Sequence, residues 1–242
     1  VSAIEQSGTS GGDGLRQTLA ATTGALMDIG TNLLASINNI TIHEIRDTTT
    51  PEIVSATFNY STGIIIVTAA ETIDATPANE IVTNLIHVAD TTGGNNVNLA
   101  ASTVTAVDGV SFTLTLTDLN RVQSQLLSDE EGGNGVAVKI DFSANAVRDI
   151  ALNRNPGSFS ITATEIRDSI RPLISSATID YSHGFIVLEF DEIVQLNPQF
   201  IFTYNTPFSF TAAKGSTVVQ ASSSSSCILK YVPTSTQIHA QC

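Results

Sequence analysis

Four carboxylates recur along this chain at one fixed spacing. Glu44 and Asp47, in the segment EIRD, return 121 residues later as Glu165 and Asp168, Asp28 returns as Asp149, and Glu71 as Glu192. Acids drawn from separate segments are what a hard cation requires, calcium taking about six to eight oxygens from carboxylates and carbonyls. Glu44, Asp47, Glu165 and Asp168 stand where successive copies of a repeat would join, so calcium bound there would stiffen a joint. Arg46 and Arg167 already set a positive charge beside each pair. The simpler expectation is that Asp47 and Asp168 accept backbone hydrogen bonds in the turns before Pro51 and Pro172. Asp28 and Asp149, each with an Asn four residues on (Asn32, Asn153), fit a turn in which the side chain holds the backbone.

The other reactive residue types form no catalytic set. A hydrolase needs a nucleophile, its base and an orienting group held together, yet His43, His87, His183 and His239 keep no spacing common to both copies. His43 aligns with Thr164 and His183 with Thr62. No enzyme is expected. The segments GGDG and GGNG lack the Lys and Ser or Thr of a phosphate loop, and read as turns. Cys227 and Cys242 are spaced compatibly with a disulfide and fit no zinc motif. Asn39 (with Thr41) and Asn59 (with Ser61) match the glycosylation acceptor pattern. Together with the cysteines they lean towards an extracellular protein.

Composition narrows the partners. The 242 residues carry a formal net charge of −13 with only ten Lys and Arg, which argues against nucleic acid, whose binding rests on clustered basic side chains. No apolar run approaches the ~20 residues needed to span a bilayer, and the first residues lack the basic-then-apolar pattern of a signal peptide. Hydrophobic residues make up 42% of the chain, aromatics 6%, and Trp is absent, so any core is built from Val, Ile, Leu and Ala. That mixture, with abundant Thr, Ser, Asn and Gly, favours an all-β fold.

The elements that must position the recurring acids are themselves repeated. Residues 44–74 over 165–195 give fourteen identities in 31 positions, and residues 1–47 over 122–168 give fifteen in 47. The expected organisation is the C-terminal part of one repeat at 1–47, a complete repeat at 48–168 and the N-terminal part of a further repeat at 169–242. Within the complete repeat, FTLTLT (112–117) and VAVKIDF (136–142) alternate apolar with polar residues, as strands with one buried face do. Residues 52–58, 63–69, 81–88, 95–101 and 158–166 are further strand candidates. Thr117 or Asp118 can cap a short helix over DLNRVQSQLL, with Leu119, Val122 and Leu126 sharing a face that would plug one end. About seven strands and one helix in such a length describe an immunoglobulin-like β-sandwich.

The segments SATFNYSTGIIIVTAAETI and SATIDYSHGFIVLEFDEIV, then FTLTLTDLNRVQSQL and NAVRDIALNRNPGSFSITATEIRD, resemble the tandem immunoglobulin-like repeats of very large surface proteins of algae and other protists. Similar closing turns of the form D-x-x-x-N occur in bacterial immunoglobulin-like modules. The usual glycine of that turn is replaced here by Thr31 and Leu152. The resemblance implies a part in building or decorating an extracellular surface by stacking modules end to end, and it implies no chemistry.

The expected function is therefore a structural repeat of an extracellular filament, appendage or coat, whose partners are neighbouring repeats or copies of the same protein. No cofactor is expected beyond calcium at the joints. If the 242 residues are a window on a longer array, the flanking sequence completes the partial repeats. If not, the 169–242 piece of one subunit could pair with the 1–47 piece of the next. An adhesin that binds glycan or protein is the alternative. Its candidate surface is NPQFIFTYNTPFSF, where Phe200, Phe202, Tyr204, Phe208 and Phe210 crowd together while the counterpart segment is aliphatic.

Overall fold

The computed structural model describes residues 5–94, 96–180 and 185–194, and beyond them the strand backbones at 200–203, 209–212, 217–220, 226–231 and 237–241. Strands dominate, and helix among the described residues is confined to one α-helix and two single 3-10 turns. The chain divides into two compact units, residues 1–167 and 168–242.

The first unit opens with an antiparallel pair, β1 (Thr18–Ala21) and β2 (Ile37–Thr41). Eight strands follow: β3 (Ile53–Asn59), β4 (Ile64–Ile73), β5 (Ile86–Ala89), β6 (Val97–Asn98), β7 (Thr103–Thr105), β8 (Gly109–Thr115), then α1 (Asp118–Gln125), β9 (Lys139–Phe142) and β10 (Ser158–Ile166). They form one sheet in the order β6-β5-β9-β10-β3-β4-β8-β7. Only β10 and β3 run parallel, with Ala163 opposite Ala56 and Ile166 opposite Asn59.

The sheet curls because β10 serves two neighbours in succession. Its register with β9 shifts between Ser158 and Ile161, Ser160 has a φ of 70°, and from Ala163 onward the strand pairs with β3. An extra residue of this kind bends a strand and sharpens its twist. The two halves thus face a common core. Phe112 from β8 meets Phe142 from β9 edge to face, with centroids 6.4 Å apart. Phe58, Ile65, Val67 and Leu114 pack from one half and Ile86, Val88 and Ile140 from the other, all buried. The alternation of FTLTLT and of the end of VAVKIDF supplies this face, although the second strand begins only at Lys139 and Val136 is left 43% exposed.

Two expectations are corrected. The stretch 81–88 is strand only from Ile86, because Ile81 N donates to Ala78 O and Leu85 N to Val82 O, closing 3-10 turns first. Ile81 is nonetheless buried, so burial in a turn imitates a strand period. The helix forms where expected, with Thr117 Oγ1 accepting from Asn120 N at 3.2 Å. Its inward face is polar: Asn120, Arg121 and Ser124 are buried, while Leu119 and Leu126 are 39% and 54% exposed. Carbonyls at the end of the sheet need donors once water is excluded. Asn120 Nδ2 donates to Asn98 O at 3.1 Å and Arg121 Nη1 to Tyr60 O at 3.1 Å, which leucine cannot do.

The second unit comprises β11 (Ile174–Asp180), β12 (Phe185–Phe190), β13 (Phe200–Thr203), β14 (Ser209–Ala212), β15 (Thr217–Gln220), β16 (Ser226–Tyr231) and β17 (Gln237–Gln241). They form an antiparallel sheet in the order β11-β12-β17-β16-β15-β14-β13.

Candidate functional site

Three of the four recurring acids occupy matching local geometries. Asp28 Oδ1 accepts from Asn32 N at 2.9 Å and its Oδ2 from Asn32 Nδ2 at 2.9 Å, while Asp149 does the same with Asn153 at 2.7 and 2.8 Å. Thr31 and Leu152, which stand where the resemblance would put glycine, take up the left-handed backbone at φ 67° and 68°. Asp47 Oδ1 accepts from Thr49 N and Asp168 Oδ1 from Ile170 N, both at 2.9 Å. Glu44 Oε1 accepts from Gln17 N at 3.1 Å and Glu165 Oε1 from Val138 N at 2.7 Å, again 121 residues apart.

The second oxygen distinguishes the two glutamates. Glu44 Oε2 accepts from Gly8 N at 3.1 Å, whereas Glu165 Oε2 accepts from the Tyr60 hydroxyl at 2.8 Å. Tyr60 is fully buried, its ring 4.2 Å from that of Phe58. Burial and then the Glu165 carboxylate hold the Tyr60 hydroxyl well above its ordinary pKa. Burial likewise pushes Glu165 up, opposed by the hydrogen bonds from Val138 N and Tyr60. The raised Tyr60 value keeps the phenol neutral and able to donate, and the hydrogen bond it gives opposes the upward push of burial on Glu165. The pair acts as a clamp between β3 and β10.

Among the described residues of the first unit, Glu44, Asp47 and Glu165 form no common group. Instead, Asp47 meets Glu71 and Asp149, with one carboxylate oxygen of each within 4.8 Å of the others. Glu71 comes from β4, Asp149 from the closing turn that a bridge to Ile73 brings alongside, and Asp47 from the segment before β3. Asn153 Nδ2 ties the group together by also donating to Asp47 O at 3.3 Å. Arg148 gives its charge elsewhere, to Asp74 at 2.8 Å and Glu80 at 3.0 Å. Burial, then the charges of Asp149 and Asp47, push the Glu71 carboxyl above the ordinary range. Both Asp149 oxygens and one of Asp47 accept hydrogen bonds that hold their own turns.

The first repeat segment also packs against this region. Gly11, at φ 86°, abuts the Ile150 carbonyl, and a Cβ there would collide with it. Its counterpart Gly132 faces only the end of the Gln125 side chain, 4.0 Å from where a Cβ would lie. The glycine at position 11 is therefore required by contact as well as by φ.

The other predicted residues are dispersed. Asn39 is exposed on β2, whereas Asn59 Oδ1 accepts from Ser61 N and Thr62 N at 3.0 and 3.3 Å in the β3–β4 turn. Phe202 pairs with Phe210 in the β13–β14 register. The side chains of Phe200, Phe202 and Phe210, and all of Tyr204, Phe208 and Cys242, lie outside the described residues, as does the side chain of Cys227.

Sequence reasoning missed one cluster. His87 and Asp141 face each other across β5 and β9, with Asp141 Oδ1 accepting from Ser160 N at 2.8 Å and His87 Nε2 2.8 Å from Asn98 Nδ2. His87 Nδ1 and Asp141 Oδ2 are both buried without a hydrogen-bond partner. Burial lowers the His87 pKa, opposed by Asp141. Only the alternation of VAVKIDF, which puts Asp141 on the outer face, hinted at it. Compared with protein families, curated proteins and solved structures, the chain matches none.

Proposed function

We propose that this chain is a run of immunoglobulin-like β-sandwich repeats of about 121 residues that serves as a structural module of an extracellular filament, cell-surface appendage or coat, assembling end to end. The observation that carries this reading is the return, at one spacing, of whole hydrogen-bonded devices. They include the Asp28 and Asp149 closing turns, the Glu44 and Glu165 anchors, and the turns at Asp47 and Asp168. A repeat kept to this detail serves a lattice of like units. The contact of Gly11 with Ile150 and of Asn153 with Asp47 supports close packing of consecutive repeats. The carboxylates are tied into turns and strand clamps, which suits a scaffold. Exposed Asn39 is suited to carry a glycan.

Electron microscopy of the native material, with intact mass after deglycosylation and reduction, tests the reading. Rods or fibres with an axial repeat of one module are expected. Native protein that is an isolated globule of 25.4 kDa would overturn it.

A further inference from the structure

Independently of the end-to-end reading, we propose that the side chains of Asn98 and His87 form an acid-released latch, which fastens edge strand β6 and the turn after it to β5 and to the 3-10 turn before β5. β6 holds only Val97 and Asn98, and it lies at the edge of its sheet, paired with β5. The Asn98 amide adds what so short a ladder lacks. Its Nδ2 donates to Asn84 O at 2.9 Å, its Oδ1 accepts from Ala100 N at 2.8 Å, and Nδ2 also lies 2.8 Å from His87 Nε2. One short side chain thereby ties together the 3-10 turn, β5 and the turn that follows β6.

This network fixes where the imidazole proton sits. Asn84 O can only accept and Ala100 N can only donate, so the Asn98 amide cannot be turned over without losing both bonds. Its second N–H then points at His87 Nε2, which has to present a lone pair. The neutral ring therefore carries its proton on Nδ1. A further proton, added at Nε2, would set one N–H against another at the distance of a hydrogen bond. The Asn98 side chain must then swing away, and Asn84 O and Ala100 N lose their partner together.

The charges around His87 are few. From β9, Asp141 stands directly across and favours the charged ring, while Lys139 lies further along that strand, opposite Ala89. Asp90, just beyond β5, is engaged by Asn96 Nδ2 and Asn134 Nδ2. On α1, which packs against β6, Asp118 and Arg121 pair with each other. The 3-10 turn at 83–85 and the start of β10 beside Asp141, residues 158–162, contain no charged residue. Burial outweighs Asp141 and holds His87 below its ordinary value of 6.5. A folded value below the unfolded one means that the latch is whole above 6.5 and is lost as pH falls through the folded value. Val97 and Leu99 are buried in the core, so release loosens the rim of the unit and not its interior.

The test is NMR of the isotope-labelled 242-residue chain, titrated from about pH 8 to about pH 4. The ring nitrogen shifts of His87 report its tautomer and its midpoint, and exchange of the Ala100 N–H, corrected for the intrinsic effect of pH, reports the latch. The Nδ1–H tautomer is expected above the midpoint, which should lie below 6.5, and protection of the Ala100 N–H should be lost through that same midpoint. His87→Gln, whose amide oxygen can accept from Asn98 at any pH, should keep the protection in acid. Asn98→Ala removes the opposing donor and should raise the His87 midpoint. An Nε2–H tautomer, a midpoint at or above the ordinary value, or one that Asn98→Ala leaves unmoved would each overturn the proposal. So would Ala100 protection that persists in wild type through the titration, or that His87→Gln loses equally. The wild-type tautomer, midpoint and protection need no variant, so they decide the matter even where a substitution prevents folding.

Discussion

Glu71 carries a pKa raised by burial and by two neighbouring carboxylates. A raised folded value means that stability from this group is full below the unfolded-state pKa of about 4.3 and is lost as pH rises through the folded value. Glu71→Gln should therefore match wild type in acid and melt higher at pH 7, by no more than about 1 kcal/mol for a partly exposed charge. Thermal melts at both pH values check this. A variant less stable at pH 7 would mean that Glu71 holds a stabilising partner, a cation included. Leu152, 46% exposed and at φ 68°, is strained without a compensating burial. Leu152→Gly should stabilise by roughly 0.5–1 kcal/mol, the relief of left-handed strain less the entropy that glycine adds to the unfolded chain. A loss in urea unfolding would show that the leucine side chain contributes more than its exposure suggests.

At the scale of elements, α1 reverses the ordinary rule for an amphipathic helix. Arg121→Met should cost about 2 kcal/mol, because the buried Tyr60 carbonyl loses a charged donor. Leu126→Ser should fall within about 0.5 kcal/mol of wild type. Urea midpoints in the reverse order would mean that the helix packs through its leucines. The helix and its Thr117 cap were legible because capping is local chemistry. Its inward face was not, since that depends on carbonyls more than twenty residues away in sequence. The alternating strands were legible for the same local reason, whereas 81–88 misled because an apolar side chain can be buried from a 3-10 turn. Among the acids, the persistence of Glu71 and Asp149 at the repeat spacing was visible. Their meeting with Asp47 was not, because it requires β4 and the closing turn to be brought together by the curl of the sheet.

Across the whole molecule, the decisive feature is the parallel contact of β10 with β3, the last strand of the complete repeat against its first. Tyr60 N donates to Ile166 O at 3.0 Å and the Tyr60 hydroxyl to Glu165, so the contact is fastened at its far end as well as along its ladder. Tension applied through the segments before Ile53 and after Ile166 would draw these strands past each other lengthwise. In a parallel pair the bonds between them then share the load together, whereas an antiparallel hairpin pulled from its open end yields one bond at a time. Single-molecule pulling on a chain of these repeats should give evenly spaced rupture peaks, lowered in force by Tyr60→Phe. Featureless extension at low force would show that the terminal strands peel apart. The strand order that closes this unit around one core thus also makes it a mechanical fuse against pull through its two ends, which in the fibre proposed above is the direction of load.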